Sequence, residues 1–311
     1  MQHKLGKKKY IESKDFQTDW LSVKMASFAI YDINWKLLLL NNRFFAEKVL
    51  LVSPDIYVFR DKRIPSKYKY RALPATLLRQ MKFQLSIPAI QIEDGKITYE
   101  ELTKKNSEKI KVPFYHLWAT IHHLSTDTMY IVDHPVMLID AESAVFDSVK
   151  TSISYSANML SPSDAFSMKG TIESFSAQML NKYITSATRV FINDGFVKSI
   201  EFTFTANEDE ANGTMMMDYH NLKVTILKQE EKGEVKRRAL KSALVNLFIR
   251  NEDKKQKKSA LHEAPPNTPI VSGHTGTIHF KRRKDRFIFN YWWNSFKSGV
   301  SSTIVKAPTN K

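Results

Sequence analysis

The chain has no cysteine, only nine glycines in 311 residues, and no apolar run approaching the thickness of a bilayer. The missing cysteines exclude a disulfide framework, a thiolate metal site and a cysteine nucleophile, and they suit a cytoplasmic and a periplasmic chain equally. Among the few glycines there is no phosphate-cradling loop, no Rossmann fingerprint and no nucleophile elbow. A spanning helix needs about 18 or more consecutive apolar residues. The longest candidate is the short run from Leu37 to Leu40, with polar neighbours. The basic start MQHKLGKKKY leads into Ile11, Glu12, Ser13, Lys14 and Asp15, not into the apolar core of a signal peptide. The expectation is a cytoplasmic protein, or part of a longer chain whose anchor lies elsewhere.

What is present is positive charge and period-two hydrophobicity. Lys and Arg number 47 against 32 Asp and Glu, a formal charge of +15, which attracts polyanions, either nucleic acid or an anionic lipid surface. Apolar residues make up 42% and charged residues 25%, the balance of a folded chain. We divide it into a basic N-terminal segment (1–20), an antiparallel β region (21–230), and a basic C-terminal region (231–311) with amphipathic helices and one late strand, which can be continuous with the β region.

Alternation predicts strands around Val23 to Tyr31, Phe45 to Val52 and Ile56 to Phe59, a hairpin of Phe83 to Ile92 and Ile97 to Tyr99, strands around Phe114 to Ile121, Tyr130 to Ile139, Val145 to Tyr155 and Phe166 to Ile172, a second hairpin of Val190 to Ile192 and Phe196 to Phe204, and a strand from Met215 to Ile226. Pro74, Leu77, Leu78 and Met81 read as a short helix, and Ala177 to Ser186 as a helix or loop. Turns are expected at Gly95 (Asp94-Gly95), Gly195 (Asn193-Asp194-Gly195) and Gly213 (Asn212-Gly213). The apolar positions change phase between His220 and Asn221, from Met215, Met217 and Tyr219 to Leu222, Val224 and Ile226. Either a β-bulge lies there or one strand ends and another begins. Val235 to Arg250 carries a helical apolar stripe (Leu240, Ala243, Leu244, Leu247, Phe248), Asn251 to Pro269 reads as a lysine-rich loop, and a strand covers Thr275 to Phe280. Phe289, Trp292, Trp293, Phe296 and Val300 then form a helical stripe behind the basic run Lys281 to Arg286.

Such strands outnumber the helices able to cover them. Their apolar faces must meet in a sandwich, close into a barrel, or line a groove filled by something apolar, because an uncovered face costs about 1.5 to 3 kcal/mol per large side chain. The candidate lining residues are Val145, Val149, Ile153, Phe196, Ile200, Phe202, Phe204, Met215, Met217, Leu222, Val224 and Ile226.

Catalysis has no support in these residues. His122 and His123 point to opposite faces of a strand, so the cluster His116, His122, His123 and His134 is a poor metal site. Asp140, Glu142 and Asp147 read as solvated strand positions. No cofactor is expected. The terminal helix has two readings: a plug for the end of the β structure, or a membrane or partner contact through Arg282, Arg283, Lys284, Phe289, Trp292, Trp293 and Phe296. Nucleic acid is disfavoured, since those aromatics form a helical stripe instead of a stacking platform on a sheet.

Residues Phe166-Ser-Met-Lys-Gly170, Leu180-Asn181, Asp194-Gly195, Gly213 to Tyr219, Asn221 to Val224, and Phe289-Asn-Tyr-Trp-Trp293 leading to Lys297-Ser-Gly299, in that order, resemble the C-terminal region of AsmA-like envelope proteins, the family that includes TamB. Upstream, Ser53-Pro54, Leu73-Pro74 and Ile97 to Glu101 are similar too. The resemblance implies an elongated, twisted β groove or flattened barrel in the periplasm, no enzymatic activity, and a role in phospholipid movement or outer-membrane assembly. The partners it implies are phospholipid or a membrane surface and an outer-membrane or other envelope protein. Such proteins usually begin with an inner-membrane helix, which is not seen in this sequence. The competing expectation is a self-contained β-sandwich that binds an anionic partner, a nucleic acid or an acidic protein.

Overall fold

The computed structural model describes residues 6–102, 109–146, 148–188, 190–229, 235–237 and 273–304. The protein is mainly β, built on one large mixed sheet that is not closed into a barrel. In chain order the elements are α1 (Lys7–Glu12), β1 (Asp19–Lys24), β2 (Ser27–Ile33), α2 (Trp35–Asn41), β3 (Arg43–Val52), β4 (Asp55–Asp61), α3 (Pro74–Arg79), β5 (Gln84–Leu102), β6 (Lys109–Ser125) and α4 (Thr128–Asp133). They continue with β7 (Val136–Val145), β8 (Val149–Asn158), β9 (Phe166–Ile172), β10 (Phe175–Ser176), a 3-10 turn (Ala177–Leu180), α5 (Asn181–Thr188), β11 (Val190–Ala206), β12 (Glu210–Gln229), β13 (Val235–Arg237), β14 (His274–Lys281) and α6 (Ile288–Ile304).

Local chemistry sets the short helices. Asn34 caps α2 by accepting the Leu37 N–H, and Asn42 ends it in a left-handed conformation. Pro74 opens α3, and the Asp127 carboxylate accepts the Met129 N–H at the start of α4. That cap corrects the expected strand from Tyr130: Tyr130 is helical, and β7 begins at Val136. Val145 and Val149, read as one strand, sit on β7 and β8 and pair across the connection between them.

The sheet is not wholly antiparallel. Strand β3 and then β4 run parallel to successive halves of β5, while β2 and β1 flank them antiparallel. Every other joint is antiparallel, along β5-β6-β7-β8-β9-β11-β12-β14. Because β14 pairs with β12, residues 274–281 continue the β region.

None of the three expected glycine turns is a turn. Gly95 lies inside the 19-residue β5, at a register shift between Ile92 and Ile97. Gly195 lies inside β11 at φ +139, again between register shifts. Gly213 lies inside β12, where an added Cβ would fall 2.1 Å from the Thr203 carbonyl oxygen. Each glycine permits a bulge or a close backbone approach within a strand that runs on. The phase change at His220 is the expected bulge. Asn221 adopts φ +56, His220 pairs with Phe196 and Lys223 with Asp194, and Tyr219 and Leu222 are both buried on one face.

The core lies under α6. Its buried stripe of Tyr291, Ser295, Gly299 and Thr303 sits on β14 and β12, where Gly276 and Gly299 leave no room for a Cβ. Trp292 packs on Tyr155 of β8 and Phe296 on Phe202 of β11, with ring centroids 5.3 Å apart in both pairs. Helix α3 and the start of α4 close the same cluster through Leu73, Ala75 and Ile131.

The helical stripe expected from Val235 begins on β13, a strand. The remainder of that stripe, the lysine-rich loop after it and Asp147 lie outside the described residues.

Candidate lipid-binding face

Strand pairing places one residue of each neighbouring strand side by side on the same face of a sheet, so a register row can be followed across the molecule. One row runs Phe28, Leu51, Ile92, Ala119, Ala141, Ile153, Gly170, Phe202, Met215, Gly276 across ten strands. A second runs Ile30, Val49, Ile90, Ile121, Ile139, Tyr155, Met168, Phe204, Gly213, Ile278. A third joins Val23, Ile56, Ile97, Phe114, Val145 and Val149. No charged residue interrupts any of them.

The C-terminal ends of these rows form the core beneath α6. Val145, Val149, Ile200, Phe202, Phe204, Met215, Met217, Leu222 and Val224 are all buried, and Ile153 packs against them. Most of the residues expected to line a groove therefore belong to the protein's own core, which α6, the 3-10 turn and α5 help to close. Phe196 is the exception: it stacks on His220, and its neighbour Val197 is buried in its place. An extra β11 residue at Lys198, between the pairs Val197–Tyr219 and Ser199–Asp218, restores the phase for Ile200. Ile226 belongs to β12, but its side chain lies outside the described residues.

The N-terminal ends of the rows have no such cover. Leu51, Ile56, Val58, Ile90, Ile92 and Ile97 are half-buried, and none joins the core or packs against it. Leu21 and Phe28, at the open edge of the sheet, are 50% and 55% exposed. Among the described helices, α1 sits on the opposite face, where the Lys7 ammonium lies over the Phe59 ring and donates to the Tyr57 hydroxyl at 3.0 Å. The others that touch these strands do so at the start of β3 (α2) or on β6 (α4 and α5). With strands about 4.8 Å apart and residues about 3.3 Å apart along them, the uncovered apolar area is about 20 Å by 30 Å, on the order of 600 Å². This is the footprint of the strip, whose side chains are partly exposed within it.

Polar groups close this strip at both ends. At one, the Arg60 guanidinium donates two bonds of 2.6 Å to the Asp19 carboxylate, while Tyr99 donates to Glu101 and Lys62 pairs with Glu101. Burial, then its hydrogen bond and charge interaction with Glu101, pushes the Tyr99 hydroxyl well above its usual pKa. At the other, the Ser86 and Ser125 hydroxyls bond at 2.8 Å and Arg43 pairs with Asp127.

The opposite face carries the polar residues of the same strands. Its shallow trough of about 690 Å³ crosses β7 to β12, lined by Asp140, Glu142, Lys169 and Glu201. A smaller hollow with Glu93 and Trp118 adjoins it at Asp140 and Glu142. These acids lie in solvent on a sheet surface, as expected from their alternation, and their sign does not suit a polyanion.

The remaining expected contacts divide. Arg282 is buried, paired with Glu208 and donating to the Arg71 carbonyl oxygen, so it is a structural cation and not a surface contact. Its position on the chain's return from β14, where its N–H bonds the Asp209 carbonyl, fixes that role. Arg283 pairs with Asp285 and Lys284 with Asp209. Trp292 and Phe296 point into the core, whereas Phe289 and Trp293 are exposed. His116 bonds Asp94, His123 stacks on His134, and among the described residues no group of three or more potential ligands could hold a metal ion. No described helix is long and apolar enough to cross a membrane.

The sequence reading missed Leu21, Val23, Phe28, Ile30, Leu51, Ile56, Val58, Ile90, Ile92 and Ile97 as site residues, and Val49, in the same row as Ile30 and Ile90, is buried. Their alternation was visible; which stretch of sheet α6 would cover was not. No family model, no curated protein and no solved structure matches this chain.

Proposed function

We propose that this chain holds or conducts lipid acyl chains along the apolar face of β1 to β5 that lies outside the core, without catalysis. The observation that carries the reading is the continuity of the register rows. The same apolar face that is core in one half of the sheet runs on, still apolar, onto strands whose Leu51, Ile56, Val58, Ile90, Ile92 and Ile97 neither join that core nor pack against it. A bilayer's hydrocarbon core is about 30 Å thick, so one acyl chain spans about 15 Å and fits within the strip. An extended chain laid on aliphatic side chains removes apolar surface from water on both partners at about 25 cal/mol per Å². The polar clusters at the two ends would keep such an occupant along the sheet.

The resemblance to AsmA-like envelope proteins agrees with this reading, and a periplasmic, envelope-associated role in phospholipid transport or outer-membrane assembly belongs to the proposal. The reading changes the place of the groove, from the strands under α6 to those before β7.

Native mass spectrometry and organic extraction of the purified protein test it. Bound phospholipid is expected in the parent and is expected to be lost in the double variant Ile56→Asp/Ile92→Asp, whose folding is followed by circular dichroism. A parent protein that carries no lipid, and takes up none from micelles, defeats the proposal.

A further inference from the structure

We infer that one end of the sheet is built to seat on an anionic bilayer surface. The inference deepens the lipid-holding reading by naming the partner with which the apolar face would exchange lipid, and it is tested independently of that reading.

The end in question is defined by register. Arg43, Gln84, Ser125, Val136, Asn158, Phe166, Ala206 and Phe280 lie at the same ends of their strands. The loops and short helices that leave there are tied to one another. Arg43 joins the end of α2 to the start of α4 through Asp127. The Thr126 hydroxyl donates to the Phe83 carbonyl oxygen at 2.7 Å. Arg79 donates to the Met159 carbonyl oxygen and pairs with Asp164, and the Met159 N–H bonds the Pro135 carbonyl oxygen. The Arg71 N–H bonds the Lys284 carbonyl oxygen, bringing in the segment that leads to α6.

This braced end carries the most exposed apolar side chains of the described residues. Leu39 (77%), Leu40 and Met129 (both 72%), Phe289 (71%), Val132 (61%) and Trp35 (60%) are six of the seven most exposed, and all six are here. An apolar side chain held in water by rigid, capped helices gains nothing for the fold. Burying each would release about 1.5 to 3 kcal/mol. Lys36 and Lys82 stand exposed beside them, and Lys281 leaves from the same end of β14, while Arg282, Arg283 and Lys284 there are engaged with Glu208, Asp285 and Asp209. Leucine and methionine tips, tryptophans at positions 35 and 293, and lysines around them are the composition of a membrane interface: acyl boundary, headgroup level and phosphate. Among the described residues, the exposed large apolars toward the opposite end include Phe16 (46%), Phe191 (39%) and Tyr68 (71%), the last beside Lys67, whose ammonium lies over the Phe16 ring. The net charge of +15 supplies the long-range attraction to anionic lipid.

Flotation with phosphatidylcholine vesicles, with and without phosphatidylglycerol, tests the inference on the full chain at low and high salt. The parent is expected to float with the anionic vesicles and to retain part of that binding in high salt, since apolar insertion is not screened. The variant Leu39→Asp/Leu40→Asp/Met129→Asp/Val132→Asp changes only exposed side chains, so it should fold and lose about tenfold or more in partitioning. Phe16→Asp, at the other end, should float as the parent does. The strip variant Ile56→Asp/Ile92→Asp should float normally while losing copurified lipid, and the rim variant should keep copurified lipid, which separates failure of docking from failure of the lipid-holding reading. Three results would each overturn the inference: a rim variant that floats like the parent, binding that high salt abolishes completely, or a dimer in sedimentation that the rim substitutions dissolve. The last would make a second copy the true occupant.

Discussion

Asp94 of β5 and His116 of β6 face each other across neighbouring strands, each in a left-handed backbone conformation (φ +48 and +50), with Asp94 Oδ1 and His116 Nδ1 2.8 Å apart. Ser53, between β3 and β4, shares that conformation at φ +47, and its N–H bonds the Glu93 carbonyl oxygen while Lys96 bonds back to Pro54. Three adjacent strand lines are thus interrupted at one level, each by an irregularity that leaves the apolar face on the same side before and after it. A line of bulges bends a sheet without exposing its core side, because a matched extra residue on each strand keeps the register in phase.

If the left-handed backbone is what the bend requires, Asp94→Gly should be neutral or stabilising by up to about 1 kcal/mol, because glycine enters that region at no steric cost. Asp94→Val should destabilise by about 1 to 3 kcal/mol, since a β-branched side chain is strained there. Both side chains are well exposed, so His116→Ala should cost little by comparison. Chemical unfolding of the three variants checks this ordering.

The seat of α6 is set by two glycines. A Cβ at Gly276 would fall 2.7 Å from the Thr303 backbone nitrogen and 2.9 Å from the Gly299 carbonyl oxygen, both backbone atoms that cannot rotate away. Gly276→Val should therefore lift the helix off β14 and destabilise by about 3 kcal/mol or more. Trp292, displaced from Tyr155, should show red-shifted fluorescence before global unfolding.

The two halves of the sheet should answer truncation differently. Phe202 is buried at 9% exposure and packed edge-on against Phe296, so Phe202→Ala should cost about 3 to 5 kcal/mol. Ile92→Ala, in the same register row but only partly buried and outside the core cluster, should cost less than about 2 kcal/mol, because it loses less buried contact than Phe202 does. The comparison is made by denaturant melts of delipidated protein, and equal losses would mean that the strip is covered.

His123 gives the protein a pH-sensitive contact. Its ring stacks on His134, centroids 4.6 Å apart and planes nearly parallel, and accepts or donates one bond with the Tyr130 hydroxyl. Burial, then the charges of His134 and His122, holds its pKa below the usual histidine value. A base depressed in the folded state binds its proton more readily when unfolded. This contribution to stability is therefore complete above the unfolded pKa of about 6.5 and declines as pH falls below it. Melting temperature should drop between about pH 7 and pH 5, and the slope should be shallower in His123→Asn, a residue that tolerates the φ of +57 found there.

Much of the architecture was written in the alternation of apolar residues. It marked most of the strands, the helix opened by Pro74, the late strand and the terminal aromatic helix. The bulge at Asn221 was visible as a phase change from odd to even apolar positions. The glycine-containing dipeptides misled because a left-handed residue serves a turn and a bulge equally well; whether the chain reverses depends on which strand lies next to it. Tyr130 misled because four apolar or aromatic residues in a short segment have no period of their own, and the decision fell to the Asp127 cap.

The sequence by itself determined that this chain forms long amphipathic strands with one apolar face and too few helices to cover it, since side-chain alternation is a property of the strand alone. Which part of that face is core and which part is the candidate lipid-binding strip was decided only by tertiary structure. Gly276 and Gly299 let α6 settle on β14 and β12, and a helix about 10 Å wide can cover only a few strands at 4.8 Å spacing, which leaves the apolar rows outside the core where they reach β5, β3 and β2.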